Sequence, residues 1–294
     1  MAADAVLIGL INGSVYALIS IGIALIFGVV GVVNFAHAEM FMIAAYVSVF
    51  VVGYLGGNPL LALVAAVAAV ALLGFLADAV VLRRVRRIYG HSLRERELAS
   101  LVATMGLSFL LANAAFLVAG PDYFHVPRLL HGSIGGFTVG FPKQLILASA
   151  VSVAMIAALF STLRFTKIGR AIRATKDQPY IVEAFGIDRD LVFSLSFGVA
   201  SGMAGLAGVL LAPIQYVYPY MGYTYLTKAF IITVLAGLGS INGVFAASLL
   251  LGVLESLGTS FINSHVGDLI FFATMVVCLI WRPNGLFGRG EIVK

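Results

Sequence analysis

Long runs of apolar residues limit what this chain can fold into more than any other feature of its sequence. A membrane-spanning helix needs about 20 mainly apolar residues, and several runs have that length. They cover 6–30, 60–82, 98–119, 143–163, 191–213 and 262–281. Two further apolar regions, 34–56 and 227–257, are interrupted by glycines and polar residues.

The composition is that of a membrane-embedded chain. Hydrophobic residues make up 61% of the 294 residues and charged residues only 11%, whereas soluble domains carry roughly 25% charged residues. Backbone polar groups must be satisfied internally in lipid, and the continuous apolar run 60–73 indicates helices rather than the alternating strands of a β-barrel. We therefore expect an all-α polytopic membrane protein with about eight transmembrane helices, forming a single domain over 1–294.

The basic residues are concentrated in two loops. Segments 83–97 and 164–190 each contain six of the 18 lysines and arginines. The positive-inside rule places both loops in the cytoplasm, and loop 120–142 then lies outside. Three spans before the first basic loop place Met1 outside, unless a re-entrant segment near 34–40 reverses the count.

This orientation requires the interrupted region 227–257 to start and end on the outer side. Its 31 residues are too many for one span and too few for two full spans. Gly237, Gly239 and Ser240 lie near its middle. The sequence therefore predicts a re-entrant hairpin or a pair of short half-helices.

Polar residues interrupt the N-terminal half in a similar way, and paired interruptions in two halves of a chain are typical of transporter pathways. Asn34, His37 and Glu39 either line a pathway and pin a helix break, or sit solvated at a membrane face. No cluster of metal ligands surrounds them in the sequence. A charge at the bilayer centre costs at least about 2.5–3.5 kcal/mol, so Glu255 either supports a gate or makes a structural hydrogen bond. Asp78 is expected to be paired or to snorkel.

The cytoplasmic loop 164–190 contains helix boundary residues. Asp177 fits an N-cap, Pro179 fits a first helical turn and Gly186 fits a C-terminal stop, which predicts a helix of about two turns. This helix would carry an apolar face made of Ile181, Val182 and Phe185. Such a face suits either docking into a groove of a partner protein or lying on the membrane surface.

Motifs for hydrolytic chemistry are missing from the sequence. It contains no Walker A lysine motif, no HExxH and no GxSxG. We therefore expect neither a catalytic residue nor a bound cofactor or metal in this chain. An intramembrane enzyme is correspondingly disfavoured.

Segment 11–46 reads INGSVYALISIGIALIFGVVGVVNFAHAEMFMIAAY. Its G-S-x-Y-A-L and N-F-A-H-x-E patterns resemble the opening of the branched-chain amino acid ABC transporter permeases of the LivH type. Similar family patterns follow at 103–108, 169–187, 228–240 and 282–288. The resemblance covers nearly the whole chain.

The resemblance implies a LivH-type ABC importer permease fold and a multi-pass location in the bacterial inner membrane. Its implied partners are a second permease, two cytoplasmic ATPase subunits that hold ATP and Mg, and an external substrate-binding protein. It assigns ATPase docking to the cytoplasmic loop. The implied docking residues are Gly169, Arg170, Arg173, Asp177, Pro179, Glu183, Phe185, Gly186 and Ile187. The implied pathway or gate residues are Tyr16, Asn34, His37, Glu39, Gly237, Gly239, Ser240 and Glu255.

The sequence is also compatible with two alternatives to an amino acid importer. Permeases for urea and short-chain amides share the same pattern, since importers of this kind take much of their specificity from the binding protein. A stand-alone ion-coupled secondary transporter would instead need an ion or proton relay, which Glu39, His37 and Glu255 could supply.

Overall fold

The computed structural model describes residues 2–89, 92–134, 140–178 and 181–288. Eight of its helical stretches are long and apolar enough to cross a bilayer. The helices are α1 (Ala2–Val30), α2 (His37–Val49), α3 (Pro59–Leu76), α4 (Arg83–Ile88), α5 (Leu93–Ala119), α6 (Lys143–Phe165), α7 (Lys167–Asp177), α8 (Arg189–Leu211), α9 (Gly222–Ala236), α10 (Ile241–Phe261) and α11 (Ser264–Trp281). The expected all-α membrane architecture is confirmed.

Two of the spans continue through π-helical turns. The turn Phe50–Tyr54 extends α2, and the turn Ala77–Leu82 joins α3 to α4, so that one helical stretch runs over Pro59–Ile88. Asn58 caps the start of α3, because its side-chain oxygen accepts a hydrogen bond of 2.9 Å from the Leu60 amide.

Two strands of two residues each lie in the loop between α5 and α6. β1 (Ser133–Ile134) pairs antiparallel with β2 (Phe141–Pro142). An isolated bridge between Phe124 and Val217 ties this loop to the segment that follows α8. The loop thus covers the ends of the helices that the charge distribution places outside.

The centre of the molecule is built from two matching pairs of antiparallel helices. Along α1, Gly9 and Gly13 lie against the backbone of α10, where any added Cβ would collide. Along α8, Gly198 and Gly202 lie close to Ala71 of α3, which an added Cβ would approach to 3.0 and 3.3 Å. Small residues allow such close helix approach in a membrane.

The short helices α2 and α9 also correspond to each other, as the two helix pairs do. Each follows a long span and a non-helical segment, and their N-termini meet where Gly222 packs on the Ala38 backbone. Contacts of α2 with α5 and of α9 with α1 show that the two helices run in opposite directions away from this meeting point. The first and second halves of the chain are therefore related as an inverted repeat, a relationship that no sequence similarity between the halves had indicated.

The prediction for 227–257 was correct about the break and wrong about two half-helices. The chain does break at Gly237–Ser240, and α9 has only 15 residues. α10, however, has 21 residues and is long enough to span. The two helices fit because α9 begins deep in the molecule beside Ala38, so that it needs to cover only part of the bilayer thickness.

The predicted helix of the cytoplasmic loop was misplaced. Asp177 is the last residue of α7 rather than the N-cap of a following helix. The cap of α7 is Thr166, whose hydroxyl oxygen accepts a hydrogen bond of 3.0 Å from the Gly169 amide. Between α7 and α8, the residues that the structure describes contain a single 3-10 turn, Val182–Phe185. Pro179 lies outside the described residues.

Candidate functional site: the helix breaks and the cytoplasmic loop

The first helix break follows α1. Gly31 adopts a left-handed conformation with φ of 75°, which ends α1 and turns the chain back along it. Asn34 is buried, and its side-chain oxygen accepts a hydrogen bond of 3.1 Å from the Ala36 amide. Asn34 therefore fixes the approach of the chain to the start of α2.

His37 and Glu39 occupy the first turn of α2, and both are fully buried. His37 Nε2 lies 3.2 Å from the Ile19 carbonyl oxygen of α1. Gly22 makes this possible, because a Cβ there would collide with the imidazole ring. Glu39 Oε1 accepts a hydrogen bond of 3.0 Å from Ser108 of α5. These contacts pin the start of α2 to two neighbouring helices.

A second polar cluster joins four helices. Lys228 of α9 pairs with Glu255 of α10 at 2.5 Å and with Asp268 of α11 at 3.0 Å. Tyr16 of α1 donates a hydrogen bond of 3.3 Å to the same Glu255 oxygen. The Lys228 ammonium also lies 5.4 Å from the centre of the Tyr16 ring. We call these four residues the Lys228 cluster.

The second helix break lies between α9 and α10. Gly237 and Gly239 both have positive φ, of 96° and 83°, which a residue with a Cβ adopts only at a cost. Ser240 caps α10, because its hydroxyl oxygen accepts a hydrogen bond of 3.3 Å from the Gly243 amide. The C-terminal segment covers this break, with the Leu286 amide donating to the Leu235 carbonyl at 2.7 Å.

The helix α7 lies against the body of the protein on one face only. Gly169, Ile172 and Thr175 are buried, whereas Arg170 and Arg173 are exposed. Gly169 is needed for this packing, because a Cβ would collide with Thr162 and Leu163 of α6. α7 is therefore a surface helix with one docked face and one basic exposed face.

The 3-10 turn after α7 exposes apolar side chains. Phe185 is 79% exposed and Ile181 is 52% exposed, while Val182 is buried. The turn ends at Gly186, whose φ of 76° is left-handed as predicted for a stop. Glu183 pairs with Arg189 at the start of α8 at 3.4 Å. This turn presents an apolar tip beside the basic face of α7.

The cytoplasmic loop and the second helix break are directly linked. The ammonium of Lys176, in the last turn of α7, donates a hydrogen bond of 3.0 Å to the Gly239 carbonyl. Gly28, near the end of α1, lies at the same point, since a Cβ added there would be 3.3 Å from the Gly239 Cα. The last turn of α7 is therefore in direct contact with the segment between α9 and α10, beside the end of α1.

The amino-acid sequence of the chain matches a known protein family. Residues 5–279 match the model of the family described as the permease component of the branched-chain amino acid transport system. The chain belongs to this permease family.

Individual members of the permease family are similar over nearly the full length. The LivH permease of Escherichia coli K12, described as part of a high-affinity branched-chain amino acid transport system, is 33% identical over 97% of this chain and 95% of that protein. BraD of Pseudomonas aeruginosa, described in the same terms, is 31% identical over the same shares. LivM of Salmonella typhimurium, also described as a permease protein of a high-affinity branched-chain amino acid transport system, is 26% identical over 92% of this chain and 67% of that protein.

In this permease the predicted pathway residues form separate groups. Asn34, His37 and Glu39 lie together at the start of α2, whereas Tyr16 and Glu255 meet in the Lys228 cluster. The side chains of His37 and Glu39 do not reach the surface. Their contacts are those of helix-pinning groups, and a direct pathway role for them stays a prediction.

Three residues that make contacts at this site are absent from the residues that the sequence predicted for it. Lys228 could have been found, because a lysine inside an apolar region is as unusual as the glutamate that it pairs with. Asp268 of α11 is the second partner of Lys228, and its side chain remains 53% exposed. Nothing in the sequence around Lys176 indicates its role, because its contact with Gly239 joins positions 63 residues apart.

Asp78 is paired, as the sequence predicted. Arg86 donates two hydrogen bonds to its carboxylate, of 2.6 and 3.0 Å, and Ser194 of α8 donates a third of 2.7 Å. Both Asp78 and Arg86 are buried. Asp190 at the start of α8 accepts a further hydrogen bond of 2.6 Å from Arg83. These pairs fasten the end of α3 to the start of α8, directly after the cytoplasmic loop.

Proposed function

We propose that this chain is the non-catalytic, membrane-spanning subunit of an ATP-driven importer for branched-chain or related amino acids. The observation that carries the proposal is the link from an exposed cytoplasmic loop to a break in the membrane helices, through Lys176 and Gly239, in a chain of the permease family. In this proposal an ATPase subunit binds the loop, and the helices rearrange at the break.

The cytoplasmic loop is the proposed docking surface for an ATPase. The exposed apolar side chains of Ile181 and Phe185 suit a hydrophobic groove, and the neighbouring arginines Arg170 and Arg173 suit an acidic rim. Arg170, Arg173, Glu183 and Phe185 are proposed as contact residues. Gly169, Gly186 and Ile187 are proposed to hold the loop in shape. ATP and Mg are proposed to bind only to the partner ATPase subunits.

A second, homologous permease is the proposed membrane partner. Relatives of the chain include both LivH and LivM permeases, which supports a core of two related chains. Two ATPase subunits and an external binding protein that delivers the amino acid complete the proposed assembly. Its proposed location is the inner membrane of a bacterium.

Transport is proposed to follow from movement of packed helices between two arrangements. Closure of the ATPase pair on ATP would displace the cytoplasmic loop, and the Lys176 contact would carry that displacement to Gly239 and the adjacent end of α1. The breaks at 31–36 and 237–240 would then open the pathway to one side of the membrane at a time. The ATPases can shift this equilibrium only by binding the two arrangements differently.

The proposal is tested by purifying the chain from native membranes through a C-terminal tag in mild detergent. We expect a second permease and soluble P-loop ATPases in comparable amounts, because the complex is held by the loop and by the helix surfaces. A chain that purifies alone or as a homodimer would contradict the proposal, and would favour a stand-alone ion-coupled transporter.

A further inference from the structure

A small pocket lies where the first helix break passes the helix α9. It has a volume of about 140 Å³ and is lined by apolar side chains, including Ile23, Phe35, Leu226 and Phe230. Asn34 and Thr227 contribute its polar lining. It therefore sits between the two interrupted segments that the inverted repeat brings together.

The pocket opens on the free face of α9. Thr227 is exposed and Phe230 is 37% exposed, whereas Ile23 and Asn34 at its base are buried. Tyr223 and Thr224 are also exposed on this helix. Polar side chains at membrane depth normally face water or protein rather than lipid, so this face suits a passage between two permeases.

Its size and chemistry fit one group of ligands. A dry cavity of about 150 Å³ lined by Leu, Ile and Phe is large enough to bind benzene. A pocket of about 140 Å³ therefore has room for a branched side chain of three or four carbons. Asn34 cannot swing into this space, because its amide oxygen is held by the Ala36 amide.

We propose that this pocket receives the branched aliphatic side chain of the transported amino acid. The inference rests on the proposed function and adds to it a site within the permease itself. Selectivity for cargo then arises in the membrane as well as in the external binding protein. Burial of the side chain among Ile23, Leu226 and Phe230 supplies the attraction, and the wall formed by Phe35 limits its size.

The first test measures access to the pocket in the assembled complex. Cys278 is the only cysteine of the chain, so Cys278→Ala provides a background for single cysteines. Thr227→Cys places a thiol at the pocket, and Thr224→Cys places a matched thiol at another exposed position of α9. Inside-out vesicles are labelled with a water-soluble methanethiosulfonate reagent, with leucine or glycine at saturating concentration on the cytoplasmic side.

We expect leucine to slow labelling of Thr227→Cys about tenfold, glycine to have no effect, and labelling of Thr224→Cys to be unchanged by either. A methylene group in a hydrophobic pocket is worth about tenfold or more. Equal protection at both positions, or none at position 227, would overturn the inference. So would a position 227 that is blocked without any amino acid, since that result indicates a lipid chain in the pocket.

The second test uses cargo preference. Thr227→Trp fills the pocket from its exposed rim, where a larger side chain does not disturb the core, and Thr224→Trp is the control. We expect Thr227→Trp to lower the ratio of leucine to alanine uptake about tenfold in proteoliposomes containing the full complex. An unchanged ratio with normal leucine uptake would refute the pocket inference alone. Absence of ATP-driven amino acid uptake by the unmodified complex would refute the proposed function instead.

Discussion

Lys176, in the last turn of α7, donates a hydrogen bond of 3.0 Å to the carbonyl of Gly239, in the break between α9 and α10. The two residues belong to different functional regions, since the first lies in the surface loop and the second at the inner end of two membrane helices. A charged donor makes this hydrogen bond stronger than an ordinary one. The contact is therefore suited to carry movement from the loop into the membrane.

Replacing Lys176 should uncouple ATP hydrolysis from transport. In Lys176→Met the loop still docks but no longer holds Gly239, and we expect the amount of amino acid moved per ATP to fall about tenfold, within the range of typical coupling energies. Lys176→Arg keeps a charged donor and should retain most of the coupling. Parallel assays of ATPase activity and uptake in proteoliposomes measure the ratio. Lys167→Met, at the exposed start of the same helix, is the matched control. An unchanged amount of amino acid moved per ATP in Lys176→Met would contradict a coupling role for the Lys176–Gly239 contact.

Adding a methyl group at Gly239 should impair transport. Its φ of 83° carries a backbone cost of about 1–2 kcal/mol for a residue with a Cβ, and the new Cβ would lie 3.2 Å from the Gly28 Cα. Gly56→Ala is the control, because Gly56 has φ of 59° but open space around it. We expect Gly239→Ala to lose uptake while Gly56→Ala retains it, at equal expression. Equal uptake in both variants would show that the close approach of Gly28 and Gly239 is not needed.

Breaking the buried Asp78–Arg86 pair should destabilise the chain. Asp78→Asn removes the closer of two carboxylates that pair with the buried Arg86 guanidinium and leaves Asp190 at 3.6 Å. Breaking a buried ion pair typically costs about 3–5 kcal/mol. Arg87→Gln removes the exposed partner of the 3.6 Å pair with Asp190 and should cost less than about 1 kcal/mol. The melting temperatures of the two variants are compared by heating the purified complex in detergent and measuring the fraction that remains folded by size-exclusion chromatography. Similar melting temperatures would contradict the structural role given to Asp78.

A charge at the apolar tip of the loop should release the ATPases. Phe185 is 79% exposed and does not belong to the buried core of the described residues. The variant Phe185→Glu should therefore fold normally. We expect the two permeases to purify together without ATPase subunits. Tyr54→Glu is the control. Tyr54 is an aromatic residue of similar exposure in the π-helical turn that extends α2, and its replacement should leave the complex intact. Retention of the ATPases by Phe185→Glu would show that they dock elsewhere.

The sequence predicted the spans well because each apolar run is long enough to be recognised by itself. It located the second helix break correctly, because Gly237 and Gly239 stop a helix through their own backbone preferences. It placed the first break near 34–40, whereas the structure has it at 31–36, beginning at Gly31. The lengths of α9 and α10 could not be predicted, because the depth at which α9 begins is set by its contact with Ala38, far away in the sequence.

The candidate site was predicted less completely. Gly186 was correctly assigned as a stop, whereas Asp177 was assigned to the wrong end of a helix. An Asp followed by a Pro fits an N-cap locally, but Thr166 starts the helix earlier and Asp177 ends it. The contacts of Lys176 with Gly239 and of Lys228 with Asp268 depend on tertiary packing, so no local pattern could give them.

Uptake of radiolabelled leucine into proteoliposomes tests the central claim most directly. The vesicles contain the complex purified through this chain, with ATP enclosed and leucine-loaded binding protein outside. The account predicts leucine accumulation that requires ATP, survives collapse of the proton gradient, and disappears when this chain is omitted from the complex. Accumulation driven by a proton gradient without ATP, or uptake of urea or acetamide in place of leucine, would contradict it.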